Sequence, residues 1–206
     1  MKGVLMSGVF ISYRAVNDGY AAPLVHKGLV PVFGEDRVFF DPETVKAGDD
    51  VPERIRRRLR ASTVLIVEIG PNWFEVKDID GNRRLDNWKD FVRWEVRKAF
   101  KWNLHVVPVL LDGAEFPADP QLPKDIAALA RKKRMRLRRE HTEADLAALV
   151  VEMKRFVPTL PQTDGSTNGG SPSATTVVDQ RRSMRVKGGV KNSILSQGDV
   201  NVRRFR

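Results

Sequence analysis

Short apolar runs recur through residues 1–160, and a stretch with helical periodicity follows each one. The runs are residues 8–13 (GVFISY), 37–40 (RVFF), 63–69 (TVLIVEI), 105–111 (HVVPVLL) and a shorter one at 134–137. A run that is apolar on both faces reads as a strand of a parallel sheet, covered by helices above and below. The intervening helical stretches are 19–29, 50–61, 88–102, 125–131 and 143–156. The first is weak, because Gly19, Pro23 and Gly28 limit it. In the second, Val51, Ile55 and Leu59 recur every four residues, and Pro52 sits in the tolerated first turn. In the last, Leu146, Leu149, Val150 and Met153 share a face. Five strands alternating with helices demand right-handed crossovers, which predicts an α/β, flavodoxin-like five-stranded parallel sheet of order 2-1-3-4-5 with helices on both faces. Its ligand site lies beyond the carboxyl ends of the strands, at the switch between the first and third, beside the loop that begins at Arg14. Pro108 removes a ladder donor, so its position must face an edge or a bulge.

After Leu160 the composition changes. Residues 162–176 read QTDGSTNGGSPSATT, which cannot bury enough apolar surface to offset its ordering entropy. The chain is therefore divided into a domain at 1–160, a flexible linker at 161–180 and a disordered basic tail at 181–206. Of the net charge of +10, half comes from the residues after Leu160, where eight Lys and Arg face three Asp. A basic tail suits an acidic partner, nucleic acid or anionic lipid, or serves only to keep the segment solvated.

Several chemistries are excluded. With no cysteine there is no disulfide, thiolate zinc site or cysteine nucleophile. The three histidines, His26, His105 and His141, share no ligand-like spacing, so no metal site is expected. No phosphate loop, G-x-G-x-x-G or G-x-S-x-G motif occurs. No run is long enough to span a membrane, and residues 1–14 lack the pattern of a signal peptide, so a cytoplasmic protein is expected.

The stretch 88–102 (WKDFVRWEVRKAFKW) is the most informative. At about 100° per residue, Phe91, Trp102, Glu95, Trp88, Ala99, Val92 and Val96 fall on one arc of about 140°. Glu95 is the single carboxylate in this apolar and aromatic stripe. A buried carboxylate costs free energy unless it is paired, and such sites are enriched in function. The alternative is a core-edge glutamate satisfied by Arg14 or a backbone amide. Trp94 falls on the charged side, as a lid or interface residue. Two basic runs, 54–60 (RIRRRLR) and 132–139 (KKRMRLRR), have the charge to contact phosphates but lack the interleaved aromatics of a base-stacking surface, and a solvated helix face is the commoner explanation.

Taken together, these segments resemble TIR (Toll/interleukin-1 receptor) domains, bacterial NAD-cleaving type. The segments FISYR (10–14), VFFD (38–41) and VKAG (45–48) resemble the first two TIR sequence boxes. STVLIVEIGPNW (62–73) resembles the third-strand segment, and DFVRWE (90–95) the helix bearing the glutamate of NAD-cleaving members. VVPVLLDGAEFP (106–117) and Leu122-Pro123 resemble the fourth strand and its loop. The resemblance implies an NAD+ glycohydrolase with Glu95 as catalytic residue and Phe91, Arg14, Tyr13, Phe40 and Asp41 as substrate-binding residues. It implies no cofactor beyond NAD+ as substrate, and self-association through the TIR domain, with residues 41–49 similar to the loop that covers the pocket. Residues 192–200 (NSILSQGDV) are similar to short amyloid-type signalling motifs, which implies recruitment or self-assembly through 185–202. The competing readings are a non-catalytic TIR adaptor and a basic nucleic-acid-binding α/β protein, with the basic tail as one place for nucleic acid to bind.

Overall fold

A computed structural model of the chain describes residues 7–15, 19–40, 53–116 and 121–161. The expected linker and tail, apart from Pro161, lie outside these residues, as do Asp41 and the rest of the expected pocket-covering loop.

The strands are β1 (Val9–Ser12), β2 (Val38–Phe39), β3 (Val64–Ile69), β4 (His105–Leu111) and β5 (Met135–Leu137). The helices are α1 (Ala21–Phe33), α2 (Glu53–Ala61), α3 (Phe91–Lys101) and α4 (Thr142–Met153). The expected short helix near 125–131 is a 3-10 segment, Ala127–Arg131. The sheet is parallel throughout, in the order β2-β1-β3-β4-β5. The expected flavodoxin-like topology is therefore the observed one.

Period-two alternation sorts each strand between two cores. Val9 and Ile11, Val64 and Ile66, and Val107, Val109 and Leu111 face α1 and α4. Phe10, Leu65, Val67, Ile69, Val106 and Leu110 face α2 and α3. Pro108 breaks nothing. The His105 amide donates to Thr63, so alternate residues 106, 108 and 110 face β5. Pairing with β5 starts only at Val109, so the missing N–H falls where the ladder has no partner.

Three local expectations need correction. First, α1 runs past residue 29, through Pro31, to Phe33. Leu29 and Phe33 are fully buried, and burying a Phe or Leu yields about 1.5–3 kcal/mol, enough to offset a proline in the last turn. Second, α3 starts at Phe91 rather than at residue 88. Asp90 caps it by accepting the Arg93 amide, and Asn87 Oδ1 accepts the Lys89 amide in a tight turn. Trp88 is therefore off the helix and 62% exposed. Third, Trp94 is not a surface residue; it is 8% exposed. Its ring meets that of Trp102 edge-on at 6.5 Å, and its place in the α2–α3 core extends the buried arc of α3 by about 60°.

Candidate active site

Chain exits from β1 and β3 go to opposite faces of the sheet, β1 toward α1 and β3 toward α3. That divergence opens a crevice at their carboxyl ends. The side chains singled out from the sequence collect there in two groups.

On the α3 side, strand alternation puts Ser12 and Arg14 on the same face as Phe10. Arg14 is 3% exposed. Its two terminal nitrogens donate to the two Asp90 oxygens at 2.9 and 2.8 Å, and its guanidinium lies 5.5 Å from the centre of the Trp73 ring. Asp90 accepts in addition the Arg93 amide at 2.9 Å, and Arg84 approaches it at 3.4 Å. One carboxylate thus caps α3 and ties its first turn to the end of β1. Arg14 pairs with Asp90, and the guanidinium is spent on this fork rather than held open toward the crevice.

The clamp sets the orientation of the first two turns of α3. Phe91 and Glu95, four residues apart, share a face. Glu95 is 9% exposed. Phe91 is buried at 8% exposure, and among the described residues it is part of neither of the two core clusters. A buried aromatic ring outside both cores and one turn from a buried carboxylate is what a pocket wall requires. Three further buried atoms, Ser12 Oγ, Arg14 Nε and Trp73 Nε1, have no hydrogen-bond partner among the described residues. Buried polar groups are nearly always satisfied, by protein, water or ligand, and these three cluster at the crevice end of β1 and the turn after β3.

On the α1 side, Tyr13 follows β1 and Phe40 follows β2, their ring centres 6.1 Å apart. Phe40 also packs on His26 at 4.8 Å. Tyr13 and Phe40 are brought together, as are Arg14 and the start of α3; the two groups flank the end of β1 on opposite faces of the sheet. Asp41 lies outside the described residues.

Sequence reading passed over Asp90, Trp73 and Glu68. Asp90 carried a visible signal, an aspartate directly before the apolar periodicity of a helix. Glu68 is fully buried in β3, and the register that pairs Ser12 with Val67 sets it across from Tyr13. It too was visible, as the one acid within TVLIVEI. A second network, at the end of β4, joins Tyr20, Asp112 and Arg139. The Tyr20 hydroxyl donates to Asp112 at 2.7 Å and Arg139 Nε donates to the same oxygen at 3.1 Å. Burial, and then the bond to Asp112, push the Tyr20 hydroxyl above its ordinary pKa. For Asp112, burial acts upward but is outweighed by the bonds from Tyr20 and Arg139, which hold the carboxyl below its ordinary range.

Among the described residues no helix is long and apolar enough to cross a membrane. A family model described as TIR domain matches residues 9–150. The chain is 28% identical over 156 residues to NAD(+) hydrolase tir-1 of Caenorhabditis elegans, an alignment that takes in 73% of this chain and 15% of that protein. The chain thus spans about one seventh of that relative's length. Among solved structures, the TIR domains of the activated Roq1 resistosome recognizing the effector XopQ align at 15% identity and a TM-score of 0.46, over 72% of this chain and 98% of that one. A metazoan TIR-STING receptor from C. gigas in complex with 2′,3′-cGAMP aligns at 20% identity and a TM-score of 0.43, over 69% of this chain and 39% of that one.

Proposed function

The chain belongs to the TIR domain family, and from that premise we propose that it is an NAD+ glycohydrolase whose catalytic residue is Glu95. The observation that carries this reading is the placement of Glu95. It is a buried carboxylate one turn beyond the buried Phe91 ring, which among the described residues is part of neither core cluster, on a helix whose start is clamped to the end of β1. The name of the similar C. elegans protein, an NAD(+) hydrolase, supports the substrate class.

In this reading the bond that breaks joins C1′ of the ribose to the nicotinamide nitrogen. The bonding pair leaves with nicotinamide, which departs neutral, so no strong general acid is needed. Positive charge develops at the ribose, and the Glu95 carboxylate holds the ribose hydroxyls and stabilises that charge in a site with little water. Water then adds at C1′ and releases a proton to solvent. Phe91 stacks on the substrate, and Tyr13, Phe40 and Asp41 line the remainder. Arg14 acts through Asp90, setting the angle of α3. Self-association through the TIR domain raises activity, and residues 185–202 promote it or recruit a partner, as suits an effector of prokaryotic defence or signalling.

Incubating the full chain with NAD+ and following nicotinamide by chromatography tests the proposal. Wild type should release nicotinamide. Glu95→Gln should release none while keeping the wild-type circular dichroism and melting midpoint. Near-native turnover in Glu95→Gln removes Glu95 from the mechanism. A wild-type chain that is silent at every protein concentration supports the adaptor reading instead.

A further inference from the structure

The opposite end of the sheet carries a second concentration of chemistry. A groove of about 560 Å³ opens at the amino-terminal ends of β3 and β4, lined by Arg60, Thr63, Trp102, Asn103 and His105 among others. Trp102 is half-buried and closes α3. The guanidinium of Arg60, from α2, and the ammonium of Lys98, from α3, each lie 5.8 Å from its ring centre. Phe100, also half-buried, has Lys132 at 5.6 Å, and Phe39 has Arg58 at 5.5 Å. The basic runs 54–60 and 132–139 lack aromatics of their own, but folding supplies them from β2 and α3. Cations and rings interleave in space although they do not in sequence.

Among the described residues, carboxylates answer only part of this charge. Glu53 serves Arg56, and Asp125 serves Arg93 and Arg97. Among the described residues no carboxylate pairs with Arg57, Arg60, Lys98 or Lys101. Burial, and then the nearness of Lys101, Arg97 and Arg56, push the Lys98 ammonium below its ordinary pKa. Cations at a helix C-terminus gain from the dipole, but that gain does not require two of them, from different helices, to meet at one indole ring.

We propose that this amino-terminal pole, with Trp102 as stacking platform and Arg60, Lys98 and Lys101 as phosphate contacts, binds single-stranded nucleic acid. Phosphates answer the unpaired cations, and an unstacked base answers the ring and the groove beside it. A duplex hides its base faces and leaves Trp102 unused. An acidic peptide would meet the cations and leave the groove empty. The inference is independent of the NAD+ reading, whose residues sit at the other end of the strands.

The test is fluorescence anisotropy of the full chain with a labelled oligothymidylate of about 16 nucleotides, from about 50 to 200 mM salt. Wild type should bind with a steep salt dependence. Lys98→Glu with Lys101→Glu should weaken binding and reduce the log–log salt slope by about 0.7 for each phosphate no longer neutralised. Trp102→Leu should weaken single-strand binding about tenfold and leave any duplex binding unchanged. Should Trp102→Leu melt early, quenching of wild-type tryptophan fluorescence by the saturating oligonucleotide reads the same interaction. Unchanged affinity in the charge variants overturns the proposal, since binding then resides elsewhere on the chain. Equal binding of duplex, or equal competition by polyglutamate, overturns it as well.

Discussion

Replacing Arg14 with alanine removes one half of a buried fork. Both side chains of the Arg14–Asp90 pair are 1% exposed, and two hydrogen bonds of 2.8 and 2.9 Å join them. Without Arg14, the Asp90 carboxylate keeps the Arg93 amide and the Arg84 ion pair at 3.4 Å, but it loses the two-point hydrogen-bonded counter-charge that is fully buried with it. Breaking a buried pair from one side costs about 3–5 kcal/mol, most of it the uncompensated charge. For a domain of this size that lowers the melting midpoint by about 6–20 °C. Asp90→Asn keeps the helix cap but strands the Arg14 guanidinium, and should cost a similar amount. The double variant Arg14→Met with Asp90→Asn leaves no buried charge, so its cost should fall below the sum of the single costs by up to about 3 kcal/mol. Urea unfolding followed by circular dichroism measures all three. A loss under about 1 kcal/mol in Arg14→Ala, coupled with a large drop in NAD+ turnover, would refute the clamp and mark Arg14 as a direct substrate contact.

Phe91→Ala should raise the KM for NAD+ about two- to tenfold, the worth of an aromatic contact, whereas Phe91→Trp should retain turnover; steady-state kinetics checks both. Trp94→Ala should cost about 3–5 kcal/mol as a core truncation, and Trp88→Ala less than about 0.5 kcal/mol as a surface change, read from the same urea curves. Hydrogen bonds from Arg138 hold the Asp145 carboxyl below its ordinary range, and those from Tyr20 and Arg139 hold Asp112 there against its burial. The stability they add is therefore present above about pH 4 and lost as pH falls through the depressed values; Asp145→Asn should flatten that acid limb in a melting-midpoint series, and an unchanged limb would remove Asp145 from it. A chain ending at Pro161 should keep the wild-type circular dichroism and lose assembly in sedimentation, with a higher protein concentration needed for NAD+ cleavage.

Topology was legible because the strands are buried on both faces. Each announces itself as a continuous apolar run, as residues 63–69 do, and the helices between them leave one parallel arrangement open. Glu95 and Phe91 were legible because a helix repeats every 3.6 residues, which sets a lone carboxylate against an apolar stripe. Helix ends were less so. The start of α3 is decided by the Asp90 carboxylate reaching the Arg93 amide, a local bond that outweighs the extra turn promised by Trp88. Trp94 was misjudged because periodicity alone assumes one buried face, and α3 buries a wider arc than the sheet alone would cover. The partner of Arg14 was not legible at all. Residues 14 and 90 are 76 apart, and only the sheet order brings the end of β1 beside the start of α3.

The crevice is polar where the rest of the sheet is not. Along β1 and β3 the buried positions are apolar until the carboxyl ends, where Ser12 and Arg14 meet Asp90 and Glu95 at the start of α3, and Glu68 is buried on the opposite, α1 face. Each is costly to bury, and a stability-driven sequence would replace the Arg14–Asp90 fork by apolar side chains at little loss. Ser12 Oγ, Arg14 Nε and Trp73 Nε1 add three buried polar atoms at the same end that have no hydrogen-bond partner among the described residues. Cost concentrated at one pole of an otherwise apolar sheet is the pattern of a site built for a polar ligand. It also separates the roles within the proposed reaction. The fork fixes α3 before substrate arrives, so Glu95 need not reorganise when charge develops on the ribose. Loosening the fork should then lower kcat at temperatures where the protein remains folded. Arg14→Lys, which keeps the charge but not the planar two-point contact, isolates that effect: a fold-competent Arg14→Lys with unchanged kcat would show that Glu95 is held in place by other contacts.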